Sequence, residues 1–259
     1  MGILNITPDS FSDGGQYLDF DQALKRAETM IEEGADIIDI GGESTRPGSD
    51  PVSADEELKR ITPIIRALQK HSNIVISVDT YKPRVMEQVI DMGVGMINDV
   101  FALQQPGAID VIKKSNVGIC LMHMQGTPKT MQLNPIYQDV VNEVKLFLEE
   151  RAISLIAEGV KTERIILDPG FGFGKTFEHN ISLLQNLESF QALKFPLLVG
   201  LSRKSFIRKI LSGDHDDHLS GSISAAIFSI VKGAKIVRVH DVKETQSAIK
   251  IMQIAQGKI

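Results

Sequence analysis

The chain has 259 residues, 42% of them hydrophobic, enough to build a sizeable core as one large domain or two small ones. Lys and Arg number 28 against 33 Asp and Glu, a net charge of −5, which argues against a nucleic-acid protein and falls short of an acidic tail or a disordered chain. No apolar run approaches the ~18 residues a membrane span needs, MGILNITPDS lacks the basic n-region of a signal peptide, and the lone Cys120 excludes an intrachain disulfide or multi-cysteine metal site; the expectation is a soluble cytoplasmic globular protein without nucleic-acid or membrane partners.

Short apolar runs alternate with amphipathic stretches along the whole chain. The runs are 2–6, 36–40, 74–78, 96–100, 118–122, 165–167, 197–200 and 236–239. Most are rich in Val, Ile and Leu, as parallel strands covered on both faces require. Between them, Leu58, Ile61, Ile65 and Leu68 recur at helical spacing, as do Val141, Val144, Leu148, Ala152 and Leu155. Ser53 and Glu56 read as a capping box. Gly34, Gly93 and Gly233 each end a helical stretch. Eight units in 259 residues is about 32 residues each, the length of a strand–helix crossover. The predicted architecture is a single (β/α)8 barrel over 1–259, with a doubly wound open sheet as the alternative.

Barrel enzymes build their sites where strands end. The predicted ends deliver Asn5, Asp39, Asp79, Asn98 with Asp99, His123, Asp168, Ser202 to Lys204, and Arg238 with His240. A polar group inside an apolar strand is costly unless paired, so a polar residue at every strand end is hard to assign to separate structural accidents. A weak internal echo sharpens the pattern. Gly34, Gly93 and Gly233 are each followed five residues later by a polar strand-end residue: Asp39, Asn98 and Arg238.

The chemistry of these groups is specific. Asp39, Asp79, Asn98, Asp168 and Lys204 can read a flat heterocycle with adjacent N–H and amino donors. Arg46, Arg238 and His240, beside Asn5, form a cationic group suited to a phosphate or diphosphate. The loops at 7–15 and 41–48 have the small, polar composition of lids, although ordinary surface loops share it. Other features carry less. The segment 168–176, DPGFGFGKT, ends like a P-loop, but its first glycine position is Pro169. The acidic, histidine-bearing SGDHDDH stretch at 212–218 needs no metal to explain it. His71 and His179 read as surface residues, Cys120 as a buried inert thiol, and Met122 as core or the border of a ligand ring.

Eight motifs together resemble the dihydropteroate synthase family from end to end: LNITPDSFSDGG (4–15), GADIIDIGGESTRPG (34–48), SVDT (77–80), IND (97–99), LMHMQGTPKTMQ (121–132), LDPGFGFGK (167–175), GLSRKSF (200–206) and RVHDV (238–242). The resemblance implies a barrel that joins 6-hydroxymethyl-7,8-dihydropterin diphosphate to 4-aminobenzoate, giving 7,8-dihydropteroate and diphosphate. It implies Mg2+, a homodimer, and sulfonamides competing for the aminobenzoate site. By the same resemblance Asp79, Asn98, Asp168 and Lys204 bind the pterin, with Asp39 in their network. Ile3, Met122 and Phe173 are its apolar walls, and Arg238 stacks on the ring. Asn5 is the metal ligand, while Arg46, Arg238 and His240 clamp the diphosphate. Phe11, Thr45, Pro47, Ser202 and Lys204 hold the aminobenzoate. Diphosphate leaves first, and Asp79 offsets the pterin-methyl cation.

Family members usually carry a short segment before the first barrel strand, which here begins at Gly2, so thinner cover at the barrel bottom is expected. A pterin-dependent methyltransferase is the nearest rival. It has no need of Ser202–Lys204 or of the two loops for a diphosphate and an arylamine. An inactive pterin-binding protein would be expected to have lost Asn5, Arg46, Lys204 or Arg238, and all are present. A generic phosphate-binding barrel isomerase has no reason for three strand-end aspartates.

Overall fold

A computed structural model describes residues 1–6, 16–45, 48–211 and 218–257, with the side chains of 16–19 left aside. Strands and helices alternate throughout. The strands are β1 (Gly2–Asn5), β2 (Ile37–Gly41), β3 (Val75–Asp79), β4 (Met96–Asp99), β5 (Gly118–Met122), β6 (Ile165–Asp168), β7 (Leu198–Val199) and β8 (Ile236–Val237). The helices are α1 (Gln16–Glu32), α2 (Ala54–His71), α3 (Pro83–Asp91), α4 (Ala108–Lys113), α5 (Val140–Ala157), α6 (Phe177–Gln185), α7 (Ser205–Leu211), α8 (His218–Val231) and α9 (Val242–Ala255). Each predicted run coincides with one strand to within two residues at either end.

All strand pairs are parallel. β1 to β6 form one sheet in sequence order, and β7 pairs with β8. Single bridges join the two sheets on both sides: Leu167 with Leu197, and Gly2 with Val239. The ring closes through Leu167 N–H donating to the Pro196 carbonyl (3.0 Å), Ile3 N–H to that of Val239 (2.9 Å), and Val239 N–H to that of Met1 (2.9 Å). The result is a (β/α)8 barrel with its helices outside.

Local chemistry explains the helix ends. The Ser53 hydroxyl accepts from Glu56 N–H at 3.2 Å and caps α2, whose first turn carries Asp55, Glu56 and Glu57. The capping box expected there is half formed, because the Glu56 carboxylate binds Arg60 instead (2.8 Å). The reciprocal box belongs to α6. Thr176 accepts from His179 N–H, and His179 Nδ1 accepts from Thr176 N–H, both at 3.2 Å. His179 also meets the Tyr137 ring edge-on, so the reading of it as a bare surface residue is corrected.

Side chains alternate across each strand. The inward row near the N-terminal strand ends is apolar: Met1, Ile37, Met96, Cys120, Ile166, Leu198 and Ile236 form one cluster. Two residues further along the same inward row come Ile3, Asp39, Asn98, Met122, Asp168, Gly200 and Arg238. The barrel is thus plugged with hydrocarbon below and lined with polar groups above. Cys120 is fully buried in the plug, and burial pushes its thiol pKa up, so it is inert as predicted.

Candidate active site

A cavity opens at the C-terminal ends of the strands. Its wall includes Ile3, Thr45, Asp79, Asn98, Met122, Asp168, Phe173, Ser202, Lys204, Arg238 and His240, together with Val100, Gly170, Phe171 and Gly200. Asp39 lies just beneath, fully buried. Thus eleven of the expected residues line one space. Phe11, Arg46 and Pro47 fall outside the described residues. Asn5 stands at the rim, where a Cβ on Gly41 would lie 3.6 Å from both its amide oxygen and the Asp79 Cβ.

The hub is a charged triangle. Arg238 donates from Nε to Asp39 Oδ2 (2.5 Å) and from Nη2 to Asp79 Oδ2 (2.9 Å). Asn98 Nδ2 donates to the same Asp39 oxygen at 3.1 Å. The three residues singled out by the internal echo therefore meet at one atom. Register explains it: strand pairing sets Asp79 beside Asn98 and Met122 beside Asp168. Burial pushes the Asp79 pKa up to about 7, with Arg238 opposing and the Asp39 charge reinforcing. Asp39 Oδ1 and Asp79 Oδ1 are buried with no hydrogen-bond partner, acceptor capacity that a ligand can use.

On the opposite wall Asp168 Oδ1 accepts from Gly170 N–H (2.7 Å). Burial raises its pKa, while that bond and the Lys204 charge lower it. Lys204 Nζ donates to the Phe171 carbonyl (2.8 Å) and sits 4.2 Å above the Phe173 ring. Burial brings the Lys204 pKa down to about 8. The free volume is about 70 Å³, with Arg238 and Lys204 among the lining side chains, below the roughly 300–1,000 Å³ of small-molecule pockets. A larger void of about 520 Å³ lies at the opposite end, where Met1, Ile37 and Ile236 face α8 and α9; Asp36, just before β2, is the one carboxylate among the described residues that lines it.

His240 differs from the expected cation. Its Nδ1 lies 3.0 Å from the Ser202 hydroxyl, and burial with the nearby Arg238 and Arg203 charges brings its pKa down to about 4. At neutral pH it is an uncharged imidazole. Its ring proton signal is expected not to move between pH 8 and 5.5 in the substrate-free protein. A histidine NMR titration with a midpoint near 6.5 would contradict that.

Three expected strand-end groups, Asp99, His123 and Arg203, turn away from the cavity. Asp99 binds its own loop, accepting from Phe101 N–H (2.7 Å) and Leu103 N–H (2.8 Å). The His123 ring faces Lys175, whose ammonium group meets His123 Nδ1 (2.9 Å) and the carbonyls of Gly170 (2.9 Å), Phe173 (3.0 Å) and His123 (3.3 Å). Arg203 pairs with Asp241 on the outside (2.6 Å). Lys175 is the residue that sequence reasoning missed. Read as a failed P-loop lysine, it is instead a buried pin for the loop after β6. The dense glycines around it were the available signal.

Gly170 shows how tight that loop is. It has φ +68°, and a Cβ there would overlap the His123 carbonyl oxygen, which is held by Lys175 Nζ and by the His123 N–H bond to the Asp168 carbonyl. Gly170→Ala is expected to cost at least about 2 kcal/mol in urea unfolding, from backbone strain plus overpacking. Full wild-type stability would show the loop free to shift. The SGDHDDH stretch lies outside the described residues up to Asp217. Among the described residues no cluster of three His, Cys, Asp or Glu is placed to hold a metal ion.

A closed parallel barrel with carboxylates, an amide, a lysine and an arginine converging at its strand ends defines a barrel enzyme for a flat, hydrogen-bonding ligand. Residues 1–240 match the family model described as pterin binding enzyme. Dihydropteroate synthase from Haemophilus influenzae is 49% identical over 98% of this chain and 92% of its own length, and that from Escherichia coli 48% over 98% and 90%. Among solved structures, the Xanthomonas albilineans dihydropteroate synthase with 4-aminobenzoic acid superposes with a TM-score of 0.93 at 44% identity, covering 99% of this chain and 92% of that one. The Yersinia pestis enzyme with a sulfonamide drug complex gives 0.92 at 44%, covering 100% and 94%. The chain belongs to the dihydropteroate synthase family of pterin-binding enzymes.

Proposed function

We infer that the cavity condenses (7,8-dihydropterin-6-yl)methyl diphosphate with 4-aminobenzoate to give 7,8-dihydropteroate and diphosphate, the pterinylmethyl transfer of folate biosynthesis. The observation that carries this reading is the convergence of Asp79, Asn98, Asp168 and Lys204 on one cavity floored by Asp39 and Arg238. A solved relative from Xanthomonas albilineans is a complex with 7,8-dihydropteroate, 42% identical to this chain.

Asp168 accepts from the amino and ring N–H groups of the pterin, and Asn98 and Lys204 bind the remaining ring edge. Ile3, Met122 and Phe173 supply apolar walls. Arg238 swings from the two aspartates onto the ring face and the diphosphate, with His240, Asn5 and Arg46 beside it. Thr45, Ser202, Lys204, Phe11 and Pro47 take the aminobenzoate. Diphosphate departs as the C–O bond breaks, and the ring spreads the positive charge that forms. Once Arg238 has moved, the Asp79 carboxylate faces that charge and stabilises it. The arylamine nitrogen then forms the C–N bond and releases a proton. No enzyme nucleophile is needed, in keeping with a Cys120 sealed in the plug.

Asn5 would hold Mg2+, which supplies charge neutralisation for the leaving diphosphate. One amide oxygen suits an ion that takes most of its ligands from phosphate and water. We place the enzyme in the cytoplasm, in keeping with a lone buried thiol and with no described helix long and apolar enough to cross a membrane. We also infer a homodimer. Phe228 and Val231 on α8 and Ile251 and Ile254 on α9 are exposed apolar residues on adjacent helices, and sedimentation at micromolar concentration checks it. The test of the site is direct binding of the pterin diphosphate and of 4-aminobenzoate by calorimetry. Sulfonamide is expected to displace 4-aminobenzoate and not the pterin. Binding of neither substrate would overturn the reading.

A further inference from the structure

A second charged cluster lies outside the cavity, at the foot of the segment that follows β2. Lys82 Nζ binds Glu43 Oε2 (2.6 Å) and pairs with Glu57 in the first turn of α2. All three side chains are at least 86% buried, Glu57 almost wholly. The same Glu43 oxygen accepts from Val52 N–H at 2.8 Å. One carboxylate therefore clasps both ends of the segment 43–52. Arg60 adds a bond to the Gly42 carbonyl (2.9 Å). Lys82 also lies 4.8 Å over the Tyr81 ring, which packs edge-on against Phe101 beyond β4. Further along the segment, Gly48 N–H donates to the Pro128 carbonyl (3.2 Å), and Asp50 pairs with Lys129 (3.0 Å).

Two carboxylates around one ammonium are a poor source of net stability, since the cost of removing them from water offsets their attraction. What such a cluster does well is fix relative position. Here it fixes β2, α2 and the turn after β3 to one another, three residues past Asp79 and two before Thr45, which lines the cavity.

We propose that Lys82 is a positioning residue for the arylamine side of the cavity: by holding Glu43 and Glu57 together it sets the base of the segment 43–52 and with it Thr45. This rests on the reading of the cavity given above. The strand-end groups that bind the pterin are held by barrel pairing and by the Arg238 and Lys175 networks, so they do not depend on Lys82.

The experiment compares Lys82→Met, Lys82→Arg and the double variant Lys82→Met with Glu57→Gln, the last keeping the buried carboxylate count low enough to fold. Two readouts are taken on the full chain: amide hydrogen exchange at Val52, and the KM for each substrate. Lys82→Met and the double variant are expected to exchange Val52 N–H at least about tenfold faster, while core amides of β3 and β4 hold. Their KM for 4-aminobenzoate is expected to rise about tenfold, well inside the ~100-fold that a 1 Å misplacement can cost, with the KM for the pterin diphosphate within about twofold of wild type. Lys82→Arg, which can bridge both carboxylates, is expected to stay near wild type. Unchanged Val52 exchange, or both KM values moving together or not at all, would overturn the proposal. If wild-type protein itself forms no dihydropteroate, the reading of the cavity fails, and the Val52 exchange still decides whether Lys82 anchors the segment.

Discussion

Asp168→Ala is expected to lower kcat/KM by roughly 10²–10⁴, with most of the loss in pterin binding. Asp168 sits at the end of β6 with 6% of its surface exposed, and its loop bond to Gly170 uses one of its acceptor positions. The remaining positions can take two N–H donors from a pterin edge. Charge-assisted hydrogen bonds contribute roughly 1.5–3 kcal/mol each, so losing two costs about 3–6 kcal/mol. Removing the carboxylate also leaves the ligand's donors buried and unpaired. Isothermal titration with the pterin diphosphate measures this separately from turnover. The fold should survive, because Lys175 still pins the loop through three carbonyls. Wild-type affinity in the variant would remove Asp168 from the pterin site.

Arg238→Met is expected to destabilise the substrate-free protein by roughly 3–5 kcal/mol, as breaking a buried ion cluster on one side does. Among the described residues Arg238 is the only cation bonded to Asp39, fully buried, or to Asp79, and without it the two carboxylates keep no described cationic partner, only the Asn98 amide on Asp39. The loss should depend on pH. Asp79 already has its pKa raised to about 7 in the folded chain against 3.8 ordinarily, chiefly by burial and despite Arg238. Without the guanidinium that pKa rises further. A carboxyl whose folded pKa exceeds its unfolded value binds more protons folded, so stability falls as pH rises from about 4 through 7 and beyond. The difference between wild type and variant should therefore grow from pH 5 to pH 8. Removing the guanidinium also relieves the downward pull on the pKa values of His240, Asp168 and Lys204, and each of these changes makes the loss larger at higher pH; His123, which Arg238 does not influence, cancels in the difference. Urea unfolding at the two pH values measures it, and an equal difference at both would break the electrostatic account.

The strand ends were legible because cost makes them conspicuous. Asp39, Asn98 and Arg238 interrupt Val- and Ile-rich runs where only a paired polar group is tolerable. The repeated spacing from the preceding glycine fixes strand register, and register brought the three to one oxygen atom. Asp99 and His123 show the limit of that logic. Each ends a strand, yet the two-residue alternation that turns Asn98 inward turns Asp99 outward, and His123 is recruited by Lys175. Lys175 and Lys82 were illegible for a common reason. Lys82 reaches Glu43 39 residues away and Lys175 reaches His123 52 residues away, and of these long-range contacts only the glycines around Lys175 gave any local sign. The half-formed box at Ser53 failed similarly, because Arg60, four residues along the helix, offered Glu56 a better partner. His240 shows that proximity to a proposed anion site does not make a histidine cationic when burial and neighbouring guanidinium groups oppose the charge.

The central claim is that one cavity binds the pterin diphosphate and transfers its pterinylmethyl group to an arylamine. The most direct test is diphosphate release from the purified protein with Mg2+, measured with the pterin diphosphate alone and with 4-aminobenzoate added, beside Asp168→Ala and Lys204→Ala. The account predicts release matched one-to-one by 7,8-dihydropteroate in wild type and lost in both variants. Binding of the pterin diphosphate with no product would contradict it and leave a pterin-binding protein. Product formation undiminished in both variants would contradict the placement of the site.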